Sequence, residues 1–267
     1  MAMFLGISLG SRHTKEDVAR FVREGFRYFE LSIPANIGKR GQEEKYIENF
    51  VEPLMEGLRE AKVCPWSFHL PFGAGFDIAA YDEAERREVV ASLKRLMTLL
   101  KDYGARVFVI HGCLEPVEDA QRPVRMAYSI ASLSELEAHA KSFGMRIALE
   151  NLPRSCLAND AKETLAMLRA AGHIGVCFDV NHLLNDTHER FLDEIAPFIV
   201  TTHLSDYDGI DERHWLPGEG IVPWKTVVER LEKAGYRGPY LFELSRGENG
   251  EYAPQEIKDA FYGALER

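Results

Sequence analysis

Cysteine and long hydrophobic runs are both scarce in this chain of 267 residues. The four cysteines lie far apart and form no Cys-x-x-Cys pair, which is typical of reduced thiols in a cytoplasmic protein rather than of a disulfide framework. No stretch approaches the roughly 20 apolar residues that a membrane-spanning helix needs. The opening segment MAMFLGISLG also lacks the basic start of a secretory signal. We therefore expect a cytoplasmic protein with no membrane partner.

Basic residues are also fewer than acidic residues. The chain has 32 lysine and arginine residues against 42 aspartate and glutamate residues, which gives a formal net charge of −10. No run of lysine or arginine forms a patch that would attract a polyanion. We therefore expect a small-molecule partner and do not expect a nucleic acid partner.

Short apolar runs rich in β-forming residues alternate with longer amphipathic stretches along the whole chain, without a linker or low-complexity segment between them. This pattern predicts one domain over residues 1–267 with eight strand-helix units. The predicted strands are FLGISL (4–9), YFELSI (28–33), SFHLPF (67–72), RVFVIHG (106–112), RIALENL (146–152), GVCFDVN (175–181), IVTTHLS (199–205) and YLFELS (240–245).

Capping residues mark several of the predicted helices between these strands. Thr14, Asp82 and Asp160 precede helical segments that end near Gly25, Gly104 and Gly172, and glycine is the residue preferred after a helix. Eight such units indicate a closed (β/α)8 TIM barrel. An open doubly wound sheet is the alternative, but no Gly-x-Gly-x-x-Gly follows the first strand.

Ionisable residues occupy the carboxyl end of seven predicted strands, which is the end where a barrel builds its active site. They are Glu30, His69, His111, Glu150, Asp179, His203 and Glu243. Because side chains alternate along a strand, the period of two places Ala148 inside the barrel with Glu150, Cys177 with Asp179, and Val109 with His111.

Four of these residues come from adjacent strands and form a candidate metal site: Glu150, Asp179, His203 and Glu243. Charged groups that point into a barrel are costly unless they are paired or bound to a cation. Three carboxylates and one imidazole suit one divalent ion such as Mn²⁺, Co²⁺, Mg²⁺ or Zn²⁺ and leave positions for substrate oxygens.

The motifs around these residues resemble the xylose isomerase-like TIM-barrel superfamily. They are FELSIP, FHLPFG, VIHG, ALENLP, CFDVNHLL, HLSD followed by DERHWLPGEG, and LFELS. In its sugar branch the resemblance implies a metal-dependent isomerase or epimerase of sugars or keto-polyols. It also implies that Glu150 and Glu243 ligate the ion and act as the acid/base pair, which transfers a proton through a metal-stabilised enediolate.

The superfamily also includes endonuclease IV, an apurinic-site nuclease with several zinc ions. The resemblance to this branch makes further residues candidates for additional Zn²⁺ or for substrate: His69, His111, His182, Glu212 and His214. The nuclease motif has aspartate where this chain has Glu212. Two alternatives to a sugar isomerase or epimerase thus stay open, an endonuclease IV-like phosphodiesterase and a metal-dependent dehydratase or lyase on a keto-polyol.

Other residues near the predicted mouth receive more general roles. Arg213 is a candidate substrate contact, Glu30 is expected to orient a histidine behind the metal, and Ser245, Arg246 and Gly247 could receive a phosphate. His13, His139, His173 and His188 are expected at the surface. Relatives of this kind are commonly oligomers, so a homo-oligomer is a further expectation.

Overall fold

A computed structural model gives the structure of residues 3–172, 174–245 and 250–267. Within these ranges the strands form one parallel sheet that runs β7-β6-β5-β4-β3-β2-β1-β8. Their bounds are β1 Leu5–Leu9, β2 Tyr28–Ser32, β3 Pro65–His69, β4 Val107–His111, β5 Arg146–Glu150, β6 Gly175–Asp179, β7 Ile199–His203 and β8 Tyr240–Phe242.

The two edges of this sheet meet and make the barrel nearly closed. Leu204, just past β7, forms a parallel bridge with Phe242 of β8. Its N–H donates to the carbonyl of Leu241 at 2.8 Å, and its carbonyl accepts from the N–H of Glu243 at 3.2 Å. The prediction of a (β/α)8 barrel is therefore confirmed.

Helices surround the barrel and connect most of its strands. Their bounds are α1 Lys15–Arg23, α2 Glu43–Tyr46, α3 Glu52–Glu60, α4 Glu83–Leu100, α5 Arg122–Lys141, α6 Ala161–Ala170, α7 His188–Ile195, α8 Trp224–Lys233 and α9 Pro254–Leu265. In the part of the chain that the structure describes, none of them has both the length and the hydropathy required to cross a bilayer.

The capping residues of α4 and α6 act as predicted. Asp82 accepts a hydrogen bond from the N–H of Glu85, and Asp160 accepts one from the N–H of Glu163. Gly25, Gly104 and Gly172 have φ angles of 96°, 90° and 89°, a left-handed backbone that glycine adopts without a Cβ penalty.

The structure also agrees with the predicted alternation of inward-facing and outward-facing side chains along the strands. Val107, Val109, Ala148 and Cys177 form a separate apolar cluster with Trp66 and Val200, and this cluster lies inside the barrel. Their neighbours along the strands lie in the larger core between the strands and the surrounding helices, and include Phe108, Ile147, Leu149, Val176 and Phe178. The barrel therefore presents one set of alternate residues to its interior and the other to the helix layer.

Several strands end earlier than predicted, with β3 stopping at His69 instead of residue 72. Leu70 still donates to the carbonyl of Val109 at 2.9 Å, but the next residue, Pro71, has no N–H with which to continue the ladder.

The prediction that His188 lies at the surface is wrong, because His188 is buried and its Nε2 lies 2.9 Å from the Val180 carbonyl. His173 lies outside the described residues.

Candidate metal centre and substrate cavity

The candidate metal site lies at the carboxyl end of the barrel. Glu150, Asp179 and His203 are the last residues of β5, β6 and β7, and Glu243 directly follows β8. One ligand atom from each of the four lies within 4.8 Å of the corresponding atom of the others. The fold thus brings together all four residues that the sequence analysis combined into one site.

Asp179 carries the clearest sign of a missing partner. Its Oδ1 accepts from the N–H of Asn181 at 2.7 Å, whereas its Oδ2 is buried with no hydrogen-bond partner in the structure. The Asn151 side chain fixes the Asp179 backbone through hydrogen bonds to both its N–H and its carbonyl, each 2.9 Å long. A buried carboxylate oxygen without a partner is costly, so this position fits a cation ligand.

His203 is aligned by a network behind it. Its Nε2 lies 2.8 Å from Glu30 Oε1, and Glu30 in turn accepts from the hydroxyls of Ser8 at 3.1 Å and Ser67 at 2.8 Å. If Nε2 donates to Glu30, the lone pair of Nδ1 faces the other three candidate ligands, which is the arrangement found for histidines that bind metal ions. The structure therefore places Glu30 behind His203, where the sequence analysis expected a residue that orients a histidine.

Glu150 and Glu243 lie on two sides of the same imidazole nitrogen. His203 Nδ1 is 3.2 Å from Glu150 Oε1 and 3.2 Å from Glu243 Oε2. Burial opposes ionisation of Glu150, but His203 and His111 hold its pKa well below the usual value. The pKa of Glu243 is likewise lowered, to about 2, because His203 outweighs the effect of burial. Burial dominates at Asp179 and raises its pKa to about 6.

Two histidines on neighbouring strands flank Glu150. His69 Nε2 lies 3.0 Å from Glu150 Oε2, and His111 Nε2 lies 3.4 Å from the same oxygen. The ring of Phe72 stacks on His111 with a centroid distance of 4.1 Å. Phe72 is 42% exposed, so it offers an apolar ring face at the edge of the cavity, which suits the apolar face of a sugar.

A cavity of about 310 Å³ opens above these residues. Its size is at the lower end of the roughly 300–1,000 Å³ of small-molecule sites. It is lined by His69, Phe72, Gly73, His111, Cys113, Leu114, Glu115, Glu150, Leu152, Pro153, Arg154, Cys156, His182, Glu212, His214 and Glu243. Two of the candidate ligands, Glu150 and Glu243, therefore share this cavity with the candidate substrate contacts.

The comparison with protein families matches residues 18–262 to a family described as xylose isomerase-like TIM barrel. The chain belongs to this family. The matched range contains every strand end that contributes to the site, from Glu30 to Glu243.

Relatives of this xylose isomerase-like barrel include sugar epimerases. The chain is 25% identical over 208 residues to fructoselysine 3-epimerase of Escherichia coli O157:H7, which covers 70% of this chain and 73% of the relative. It is 25% identical over 174 residues to ketose 3-epimerase of Arthrobacter globiformis, which covers 62% of this chain and 59% of the relative. The crystal structure of a D-tagatose 3-epimerase-like protein superposes with a TM-score of 0.80 at 20% identity, with coverage of 98% and 97%. At this low identity, the similarity to the D-tagatose 3-epimerase-like protein shows a shared fold and no more.

A second group of candidate ligands in this xylose isomerase-like barrel lies nearer the cavity mouth. Ligand atoms of His182, Glu212 and His214 lie within 4.8 Å of one another. His182 Nδ1 is 3.0 Å from the Asn151 carbonyl, and its Nε2 is 3.0 Å from Glu212 Oε2. Both ring nitrogens of His182 thus face acceptors. We call His182, Glu212 and His214 the outer triad.

The structure places Arg213 away from the cavity. Its Nε donates to Asp208 Oδ2 at 2.8 Å, and its guanidinium lies over the ring of Trp215 at 6.0 Å. Arg154 instead lines the cavity, although the sequence analysis gave it no role. A lone arginine in a loop resembles any solvated arginine, and the only signal available was its position four residues after Glu150.

The loop after β7 is organised by a residue that the sequence analysis did not assign. Asp206 is fully buried, and its carboxylate accepts from the backbone N–H groups of Gly218 at 2.7 Å and Val222 at 3.0 Å and from Trp224 Nε1 at 2.9 Å. Gly220 packs against it so closely that a Cβ would lie 2.1 Å from the Tyr207 carbonyl. These contacts fold the loop back and present Glu212 and His214 to the cavity.

The suggested phosphate position after β8 is only partly described. The N–H of Ser245 donates to the His214 carbonyl at 2.9 Å, whereas Arg246 and Gly247 lie outside the described residues. This suggestion therefore stays a prediction.

Proposed function

We propose that this chain is a divalent-metal-dependent sugar 3-epimerase that acts on a ketose. Three findings support the proposal: membership of the xylose isomerase-like family, similarity to fructoselysine and ketose 3-epimerases, and the convergence of Glu150, Asp179, His203 and Glu243 at one end of the barrel. Between isomerase and epimerase, the similarity to 3-epimerases favours the epimerase.

The observation that carries the proposal is the pair of glutamates. Glu150 Oε1 and Glu243 Oε2 each lie 3.2 Å from His203 Nδ1, yet they come from β5 and from the end of β8, on different sides of the barrel mouth. A ketose held between them would have one carboxylate near each face of C3. Epimerisation requires this arrangement, since the proton leaves one face and returns on the other.

The donor set fits one divalent ion, for which Mn²⁺, Co²⁺, Mg²⁺ and Zn²⁺ are all suitable. When bound, such an ion polarises the oxygens next to the exchanging C–H bond and so acidifies it. Among the residues of the chain, one glutamate removes the C3 proton and the other delivers a proton to the opposite face. His203 is held in place by Glu30 throughout.

Residues around the glutamates would hold the sugar. His69 and His111 lie against Glu150, and His182 and Glu212 line the opposite part of the cavity, so hydroxyls can pair with imidazole and carboxylate groups on both sides. Phe72 covers the remaining face. The burial of Glu150, Asp179 and His203 excludes bulk water from the region where the proton moves.

Deuterium exchange tests this function directly. Chelator-treated protein reconstituted with Mn²⁺ would be incubated in D₂O with D-fructose, D-tagatose, L-ribulose or fructoselysine, and the sugars examined by NMR and mass spectrometry. We expect deuterium at C3 and the C3 epimer of at least one of them, with neither before Mn²⁺ is added.

Three other results would contradict the proposal. Deuterium at C1 with an aldose product would make the chain an isomerase. Loss of water from the sugar would make it a dehydratase. Cleavage of a duplex with one abasic site, without exchange on any ketose, would favour the endonuclease IV-like alternative.

A further inference from the structure

Arg154 is held by three carboxylates from two other loops. Its guanidinium contacts Glu115 through Nη2 at 2.5 Å and Nε at 3.0 Å, Asp211 through Nη1 at 2.7 Å, and Glu212 through Nη2 at 2.9 Å. Its carbonyl accepts from the side-chain amides of Asn159 at 2.8 Å and Asn185 at 2.6 Å. The loops after β4, β5, β6 and β7 thus meet at this one residue.

The backbone of Arg154 is specialised for this position. Its φ angle is 51°, in the left-handed region that few residues other than glycine adopt. Such a conformation persists only where surrounding contacts stabilise it. The five hydrogen-bonding groups around Arg154 provide that stabilisation and fix the direction of its side chain.

Both oxygens of Glu212 are occupied as a result. Oε1 accepts from Arg154 Nη2 at 2.9 Å, and Oε2 lies 3.0 Å from His182 Nε2. The outer triad has ligand atoms close enough for a metal ion, but Glu212 is its one carboxylate. The guanidinium of Arg154 lies 2.9 Å from Oε1 of that carboxylate, so a divalent cation bound to Glu212 would lie beside a fixed positive charge.

The candidate metal site of Glu150, Asp179, His203 and Glu243, which we call the inner site, has the opposite balance of charge. Glu150, Asp179 and Glu243 supply three carboxylates, and among the described residues no arginine or lysine forms an ion pair with any of them. Asp179 Oδ2 also has no hydrogen-bond partner among the described residues, in contrast to either oxygen of Glu212. Charge and unsatisfied ligand atoms both distinguish the inner site from the outer triad.

We propose that Arg154 keeps a second metal ion out of the outer triad. Its fixed guanidinium takes the place of a second cation beside Glu212 and keeps His182, Glu212 and His214 as a substrate-facing wall. The proposal rests on the proposed function only in assigning the first ion to the inner site. It predicts that the outer triad binds Zn²⁺ once the charge of Arg154 is removed.

Zinc stoichiometry tests the proposal without any substrate. Wild type, Arg154→Gln and Arg154→Lys would be saturated with Zn²⁺ in a competing chelator, exchanged into metal-free buffer and analysed for zinc per chain. We expect wild type and Arg154→Lys, which keeps the charge, to hold the same number of ions, and Arg154→Gln to hold one more. Arg154→Gly, which the positive φ accommodates, is the second neutral variant in case Arg154→Gln does not fold.

A double variant locates the second ion. Arg154→Gln with Glu212→Gln loses the carboxylate of the outer triad and should return to the wild-type zinc content. The wild-type zinc content in both folded neutral variants, or a loss of one zinc on Glu212→Gln in an otherwise wild-type chain, would overturn the proposal. An additional ion in Arg154→Lys would show that charge is not what excludes the ion from the outer triad. Absence of C3 exchange in the wild type would count against the proposed function and leave the zinc result intact.

Discussion

The interior of the barrel contains two layers built from the same strands with opposite chemistry. In the lower layer lie Val109 of β4, Ala148 of β5 and Cys177 of β6, which are buried and apolar. Two residues further along each strand lie His111, Glu150 and Asp179. Because side chains alternate with a period of two, one repeat of the strand separates a layer that stabilises the barrel from a layer that can do chemistry.

The two layers differ in whether they bury ionisable groups. The apolar side chains of the lower layer gain from burial and require no partner. The upper layer contains buried ionisable groups, and Asp179 Oδ2 lacks a hydrogen-bond partner. A ligand that binds the folded state would therefore stabilise the protein through the upper layer alone. Substitutions in the two layers should separate metal binding and catalysis from stability.

Asp179→Asn is expected to have the largest effect, because it removes the charge of the carboxylate whose Oδ2 is free to ligate an ion. The variant should lose metal binding and with it nearly all epimerase activity. Thermal unfolding with and without Mn²⁺ provides the measurement, since wild type should gain stability from the ion and the variant should not. Equal stabilisation of both proteins would exclude Asp179 as a ligand.

Glu243→Gln should separate chemistry from binding within the upper layer. The amide keeps one oxygen for the ion but cannot accept the C3 proton, so the exchange rate should fall by roughly 10²–10⁴-fold, the usual contribution of a general acid or base. Metal content and C3 deuterium exchange would be measured on the same preparation. A variant that retains its metal and exchanges at the wild-type rate would remove Glu243 from the mechanism.

Glu30→Gln tests how much the upper layer depends on the residues that support it. Glu30 does not line the cavity; it accepts from Ser8 and Ser67 and contacts His203 Nε2 at 2.8 Å. Loss of its charge should weaken metal affinity or activity by about 10–100-fold, as for other partners of metal-bound histidines. Mn²⁺ titration would measure the change. Ser67→Ala is the matched control, because it keeps the Glu30 carboxylate and should have a smaller effect.

The fold and the inner site could be predicted because their signals are local. Alternation, capping residues and glycine stops occur within a few residues of each other, and a barrel brings the ends of its strands together whatever the loops contain. The positions of Glu150, Asp179, His203 and Glu243 follow from that rule. Their roles as ligands and as acid and base stay predictions.

The environment of Arg154 could not be predicted because it depends on distant loops. Its carboxylate partners lie 39, 57 and 58 residues away along the chain, and no periodicity relates them. The same limit explains why Arg213 was favoured: it precedes His214 in a motif, but the folded loop turns its side chain toward Asp208. Burial of His188 likewise depends on its contact with Val180.

Ala148→Val should have the smallest effect, and an effect on stability alone. Ala148 is fully buried in the lower layer, where added methyl groups force neighbouring side chains to move at a cost of about 1–3 kcal/mol. Urea unfolding of the metal-free protein would measure this loss, while zinc content and C3 exchange of the folded variant should equal those of wild type. Val109→Ala is a control that shrinks the same layer instead. If Ala148→Val altered metal affinity as strongly as Glu30→Gln, the two layers would be coupled through the strands, and the separation of stability from chemistry by one strand repeat would fail.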